Sequence, residues 1–274
     1  MALARELEAA LGAAAVAGAF IRAEYESFVP IPNAPGNIST HVDKGSQELI
    51  LQYLRERFPE DGLCAEEATA TLAESQHDCE RVWVVDPIDG TRGFAMKNGE
   101  FTVMIGLTIR KQVVLGVVLE PTRGTYTFAT KGGGCFTASG DDFANRTPCR
   151  VTATARLADA TIAMSHIAPK GKLVHAVDAV RPTRVLEMYS AGLKLASVAQ
   201  GAADAYVNTY HRFHDWDICA GDILVTEAGG TVTGFRGEPV VYGRPSYRQN
   251  DGLLASNGTM HADLVATLAG CELG

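Results

Sequence analysis

The sequence predicts an α+β fold, with an antiparallel sheet in the N-terminal half and a mixed α/β sheet in the C-terminal half. Two observations predict it. From Phe101 to Phe136, apolar runs alternate with short polar breaks, the pattern of consecutive strands joined by tight turns. Beyond about residue 160, strand-like and helix-like stretches alternate, which implies a sheet covered by helices. With 274 residues, 46% of them hydrophobic, the chain can fill one large domain or two of medium size. The polar run from Asp141 to Pro148 reads as a linker or exposed loop and divides the chain into domains over 1–145 and 146–274.

Residues 3 to 27 carry Leu3, Leu7, Ala10, Leu11, Ala14 and Ala17 at helical spacing, with charges elsewhere on the wheel, and form one long amphipathic helix. Three prolines and a glycine between Val29 and Asn37 forbid helix or central strand, so a mobile loop is expected here. A second helix is expected from about Lys44 to Phe58, with Asp43 at its mouth as a candidate N-cap. Arg81 to Val85 is a buried strand, which Pro87 ends by removing a ladder donor. The meander then runs through Phe101 to Ile109, Val113 to Leu119, Tyr126 to Ala129 and Gly132 to Phe136. The second half gives strands at 161–164, 184–188, 205–207, 231–233 and 253–255, and helices at 173–180, 191–200, 216–228 and 261–268.

The chemistry concentrates where the first strand ends, in Asp86-Pro87-Ile88-Asp89-Gly90-Thr91. With Pro87 at the corner of a turn, Asp86, Asp89 and the Ile88 carbonyl converge as hard oxygen ligands, a set that suits Mg²⁺ completed by water and phosphate. Gly90 and Thr91 open a short helix whose unpaired N–H groups suit an anion. The same residues are ordinary turn material, and Glu66-Glu67 is equally readable as a solvated face. Trp216-Asp217 adds a carboxylate at the first turn of a later helix that stops at Gly229-Gly230.

A formal charge of −8 argues against a surface for nucleic-acid polymers, which need a basic stripe to displace counterions. The six cysteines show no C-x-x-C pairing, so neither a zinc site nor a disulfide framework is indicated. No uninterrupted apolar run is long enough to span a membrane. A cytoplasmic protein without membrane partners is expected.

Glu66-Glu67, the Asp86 to Thr91 element, Trp216-Asp217 with Ala220-Gly221, Glu227-Ala228-Gly229-Gly230, and Ala255-Ser256-Asn257-Gly258 resemble, in order and spacing, the signatures of the inositol monophosphatase superfamily of Mg²⁺-dependent, lithium-sensitive phosphatases. The resemblance runs from about residue 40 to the C-terminus and implies the layered αβαβα sugar-phosphatase fold, two to three Mg²⁺ ions per site and a homodimer. It assigns the first ion to Glu66, Asp86 and the Ile88 carbonyl, and the second to Asp86, Asp89 and Asp217, with Glu66 helping to hold a third. Thr91 supported by Asp43 would orient the attacking water, the Gly90 and Thr91 amides would bind phosphate, and Glu67 would stand behind the ligands.

Two features lean toward the 3′(2′),5′-bisphosphate nucleotidase branch. Thr91-Arg92-Gly93-Phe94 looks like that branch's Gly-Thr-Lys-Gly-Phe segment, and Ser190 with Lys194 resembles its nucleotide-contacting stretch. Inositol phosphatases carry a glutamate shortly before the Trp-Asp element. This chain has Tyr210-His211-Arg212-Phe213 there, suited to stacking on a base and meeting an anion. The plainer alternative is that Ser190 caps a helix and Lys194 snorkels from it. The expected substrate is a small phosphorylated metabolite, first adenosine 3′,5′-bisphosphate and second inositol 1-phosphate, fructose 1,6-bisphosphate or histidinol phosphate. A catalytically idle binding protein would have lost a ligand, and none is missing.

Overall fold

The computed structural model describes residues 3–75, 79–166 and 172–273. In chain order its elements are α1 (Ala4–Ser27), α2 (His41–Arg57), β1 (Gly62–Ala65), α3 (Ala70–Ala73), β2 (Arg81–Asp89), α4 (Thr91–Ala95), β3 (Thr102–Ile109), β4 (Gln112–Glu120), β5 (Thr125–Thr130) and β6 (Gly134–Ser139). There follow β7 (Thr147–Pro148), β8 (Thr161–Met164), α5 (Lys172–Val180), β9 (Arg184–Glu187), α6 (Ala191–Ala199), β10 (Ala205–Asn208) and β11 (Phe213–His214). The chain closes with α7 (Asp215–Glu227), β12 (Thr231–Thr233), β13 (Arg248–Gln249), β14 (Leu253–Ser256) and α8 (His261–Leu268).

Five layers result. Strands β1 to β7 lie side by side in sequence order, antiparallel except for the β1–β2 pair. The smaller sheet runs β12-β14-β10-β8-β9, with β8 parallel to both β9 and β10 and the β14 pairings antiparallel. Helices α1 and α2 cover one face of the large sheet, α6 and α7 lie between the two sheets, and α5 and α8 close the far face of the small one.

Strand alternation explains why three layers of helix are needed. On β3, Val103, Ile105 and Leu107 enter the core under α1, while Met104 faces α6 and α7. On β10, Ala205 and Val207 face α5 and α8, while Tyr206 faces the inner helices. Both faces are apolar, so each sheet must be covered twice. The inner helices approach closely at Gly116 of β4: a Cβ there would stand 2.3 Å from the Ala220 carbonyl oxygen of α7. Any side chain would push that helix off the sheet.

Several expectations are corrected. The strand that Pro87 was expected to end continues to Asp89 through a bulge, in which Pro87 and Ile88 together oppose one residue of β3. Helix α2 begins at His41, and its cap is Thr40; Asp43 is the third helical residue of a capping box. The 141–148 run forms no strand up to Arg146, as expected, but its last two residues, Thr147 and Pro148, add an edge strand to the large sheet. The loop after α1 is pinned by a bond from the Ile31 N–H to the Ala95 carbonyl, 2.9 Å, and by the buried Ala34. Short elements with no periodicity, β1 and the β11–β13 ribbon, were not anticipated.

Candidate metal centre

The bulge builds the site. Residues three apart on a regular strand point to opposite faces, and the extra residue restores Asp86 and Asp89 to the same one. There they meet Asp217 from the first turn of α7, and one carboxylate oxygen from each lies within 4.8 Å of the others. Each acid is fixed by donors to one oxygen. Asp86 Oδ1 accepts from the Ile88 N–H at 3.1 Å, and Asp217 Oδ2 from the His214 N–H at 2.6 Å. Asp89 Oδ2 accepts from the Gly192 N–H at 2.7 Å, from Thr102 at 3.2 Å and from Ser190. Among the described residues the second oxygen of each acid has no protein donor, which leaves three anionic oxygens facing one another.

Such a cluster is unstable without a cation. Burial, then Glu66, Asp89, Asp217 and Asp43, hold the Asp86 carboxyl well above its ordinary range. Burial pushes Asp217 up to about 7, with Asp89 and Asp215 adding to it while the His214 amide and Lys194 oppose. Glu66 stands outside the tight trio, on the solvent-open side just after β1. Desolvation, then Asp217, Glu67, Asp43 and Asp89, raise it to about 8, although water screens part of that crowding. Oxygen donors alone, at this spacing, fit a hard divalent cation, so the residues present suit the metal that the resemblance implies. Asp86, Asp89 and Asp217 would hold it, with Glu66 and the Ile88 carbonyl in reach of the same cluster.

Protonation must substitute for the cation when metal is withheld, and this gives a pH signature. Folded-state values above the unfolded ones mean that the folded protein binds more protons from about pH 4 to 8, so stability falls as pH rises through that window. The thermal midpoint in excess chelator is expected to drop between pH 5 and pH 8. Added Mg²⁺ should flatten most of the slope, leaving the share of Asp215 and Asp222, both raised to about 6 chiefly by burial. Identical slopes with chelator and with Mg²⁺ would remove the metal from the account.

The residues expected to orient water are joined directly. Thr91 Oγ1 donates to Asp43 Oδ1 at 2.8 Å and stands 3.0 Å from the Ile88 carbonyl. Asp43, fully buried, is held on its other oxygen by the Thr40 N–H at 2.8 Å and the Thr40 hydroxyl at 2.6 Å. Burial raises its pKa, and the bonds from Thr40 and Thr91 oppose that. Gln47 of α2 clamps the Glu67 backbone at both N–H and carbonyl, 2.8 and 2.6 Å, and Ser39 bonds the Glu67 carboxylate at 2.6 Å. Glu67 thus anchors the chain that presents Glu66. At Gly90, φ of +88° and a Glu100 carbonyl 2.7 Å from any Cβ admit only glycine.

The substrate residues fall out differently. Ser190 caps α6, accepting from the Leu193 N–H, and also bonds Asp89 and Thr102. Lys194 is 1% exposed, and its ammonium donates to Ser165, to the Met188 carbonyl and to the Tyr189 carbonyl at 3.0, 2.9 and 3.2 Å. All three protons are spent inside the protein, in place of the available cation that the sequence suggests. Tyr210 is 53% exposed and Arg212 is exposed, whereas Phe213 is buried. Sequence reasoning missed Gln47, Thr102 and Ser165; only Thr102, a polar residue between Phe101 and Val103, carried a local signal.

An acidic centre of this kind, with a threonine–aspartate pair beside it, is equipped to hold a divalent cation next to an oriented water. Comparison with known proteins places the chain in a family. A profile of the inositol monophosphatase family matches residues 3–272. The Nus factor SuhB of Escherichia coli is 32% identical over 246 residues, covering 84% of this chain and 85% of that one. The fructose-1,6-bisphosphatase/inositol-1-monophosphatase of Thermotoga maritima is 31% identical over 230 residues, covering 84% and 81%. The solved structure of an inositol monophosphatase from Anabaena (Nostoc) superposes with a TM-score of 0.81 at 27% identity, covering 100% of this chain and 98% of that one. The chain belongs to the inositol monophosphatase family and is a metal-dependent phosphatase. Among the described residues, no helix is long and apolar enough to cross a membrane.

Proposed function

We propose that the protein is a Mg²⁺-dependent phosphomonoesterase that removes the 3′-phosphate of adenosine 3′,5′-bisphosphate. The observation that carries the phosphatase reading is the carboxylate trio lying beside the Thr91–Asp43 pair. When bound, divalent cations at such a centre neutralise charge at phosphorus and make water more acidic. The Thr91 hydroxyl donates its hydrogen bond to Asp43, so its lone pairs accept from water and fix that water's orientation. The Gly90 and Thr91 N–H groups hold the phosphate. A bond forms from the water oxygen to phosphorus, the ester bond breaks opposite it, and of the water's two protons one passes to the leaving alcohol while the other stays on the phosphate.

The nucleotide is favoured by the exposed Tyr210 and Arg212, in the segment where inositol phosphatases carry a glutamate for ring hydroxyls. Relatives named as inositol monophosphatases make inositol 1-phosphate the second reading. Phosphate release from adenosine 3′,5′-bisphosphate, inositol 1-phosphate, fructose 1,6-bisphosphate and histidinol phosphate, with Mg²⁺ and with excess chelator, separates them. The nucleotide is expected to show the highest kcat/KM, and chelator to abolish turnover. A higher value for inositol 1-phosphate would overturn the substrate; undiminished turnover in chelator would overturn the chemistry.

A further inference from the structure

Arg92 follows Thr91 on α4, and its Nε is buried without a hydrogen-bond partner, alone in this among the described residues. An arginine with its Nε sealed off unmatched and its terminal nitrogens at the surface carries a charge that no protein group among the described residues compensates, and those terminal nitrogens are the donors an incoming anion can reach. None of the ion pairs among the described residues includes Arg92. Glu100 and Asp89, which flank the Gly90 turn, each direct one carboxylate oxygen to other donors and pair with no arginine among the described residues. Glu100 Oε2 accepts from His166 Nε2 at 2.8 Å and from the Tyr189 N–H at 3.2 Å, and Asp89 Oδ2 accepts from three donors.

The side chain is nonetheless positioned. Its guanidinium carbon lies 5.2 Å from the centroid of the Tyr189 ring, a cation–π contact that orients the planar group while its terminal nitrogens, unlike Nε, stay open to solvent. Tyr189 precedes Ser190, whose Cα lies only 3.2 Å from where a Cβ on Gly90 would stand. The Tyr189–Ser190 backbone therefore packs on the turn that carries Gly90 and Thr91, which places Arg92 and Tyr189 beside the turn whose amides are proposed to hold the phosphate. Lys194, the other cation near Ser190, has no proton to spare.

We propose that Arg92, oriented by Tyr189, is a specificity-determining residue that binds a second anionic group on the leaving part of the substrate. The preferred substrates are then phosphomonoesters that carry another phosphate. This rests on the phosphatase reading, and its test keeps the two separable. With full-length enzyme and Mg²⁺, kcat and KM are measured for wild type, Arg92→Gln and Arg92→Lys on adenosine 3′,5′-bisphosphate and on adenosine 3′-monophosphate. Loss of a charge-assisted contact should raise KM for the bisphosphate roughly 10- to 150-fold in Arg92→Gln, with kcat and the monophosphate little changed. Arg92→Lys should recover part of the loss. Equal losses on both substrates, or none, overturn the proposal. Calorimetric binding of adenosine 5′-monophosphate, which keeps the second anionic group and needs no turnover, should weaken by a similar factor in Arg92→Gln. If wild type hydrolyses neither substrate yet this binding depends on Arg92, the phosphatase reading fails and the anion site stands; if the binding is unaltered, the site falls.

Discussion

Replacing Asp89 with asparagine is expected to lower turnover about a thousandfold and, at the same time, to raise the thermal midpoint of the metal-free protein. The first effect follows from the centre's role: losing one of three carboxylate ligands removes stabilisation of developing charge by roughly 4 kcal/mol, and each ~1.4 kcal/mol is a factor of ten in rate. The second follows from the same geometry without metal. Asp89 lies within 4.8 Å of Asp86 and Asp217, so neutralising it relieves repulsion. After partial protonation of its neighbours that relief is on the order of 1–2 kcal/mol, which corresponds to several degrees in a chain of this length. Asparagine keeps an oxygen to accept from Gly192, Thr102 and Ser190, so the link to α6 survives. Calorimetry with chelator and with Mg²⁺, beside steady-state rates, measures both. Wild-type turnover, or a Mg²⁺-induced rise in midpoint equal to that of wild type, would show that Asp89 is not a ligand.

What the sequence made legible was whatever depends on period and local order. The meander could be read because β3 to β5 alternate between two apolar faces over six residues or more, and the acidic positions because Asp86 and Asp89 flank a proline after an apolar strand while Asp217 opens a helix. What stayed hidden depends on partners distant in the chain. Gly62–Ala65 is too short to show a period and becomes a strand only by pairing with β2. Pro87 reads as a stop, yet it sits in a bulge, where the missing N–H costs nothing. Lys194 looks like a snorkelling helix cation, and its burial is decided by Ser165 and the carbonyls of Met188 and Tyr189. Ser190 was readable as a cap, but its bonds to Asp89 and Thr102 cross about a hundred residues of chain. The orphaned Nε of Arg92 is likewise a property of the fold, since nothing local distinguishes that arginine from an exposed one.

Thr91→Val is expected to cut kcat by about 10²- to 10⁴-fold, the range for losing a group that positions or moves a proton, while KM and fold stay close to wild type. Thr91→Ser, which keeps the hydroxyl, should remain within about tenfold. The sharper test is Asp43→Asn. Asp43 accepts on both oxygens, from Thr40 on one side and from Thr91 on the other. An asparagine can accept on only one. Keeping its oxygen toward the Thr40 N–H, which caps α2, turns its amide N–H₂ toward Thr91. Thr91 must then accept that bond and send its own proton to the Ile88 carbonyl, 3.0 Å away, so that the lone pair meant for water is used and a prospective metal ligand is weakened. Asp43→Asn should thus approach Thr91→Val in its loss of kcat despite preserving size and fold, and the double variant should be little worse than either alone, because both remove the same oriented lone pair. Multiplicative losses in the double variant would mean that Thr91 and Asp43 act separately, and the water-orienting pair would have to be abandoned.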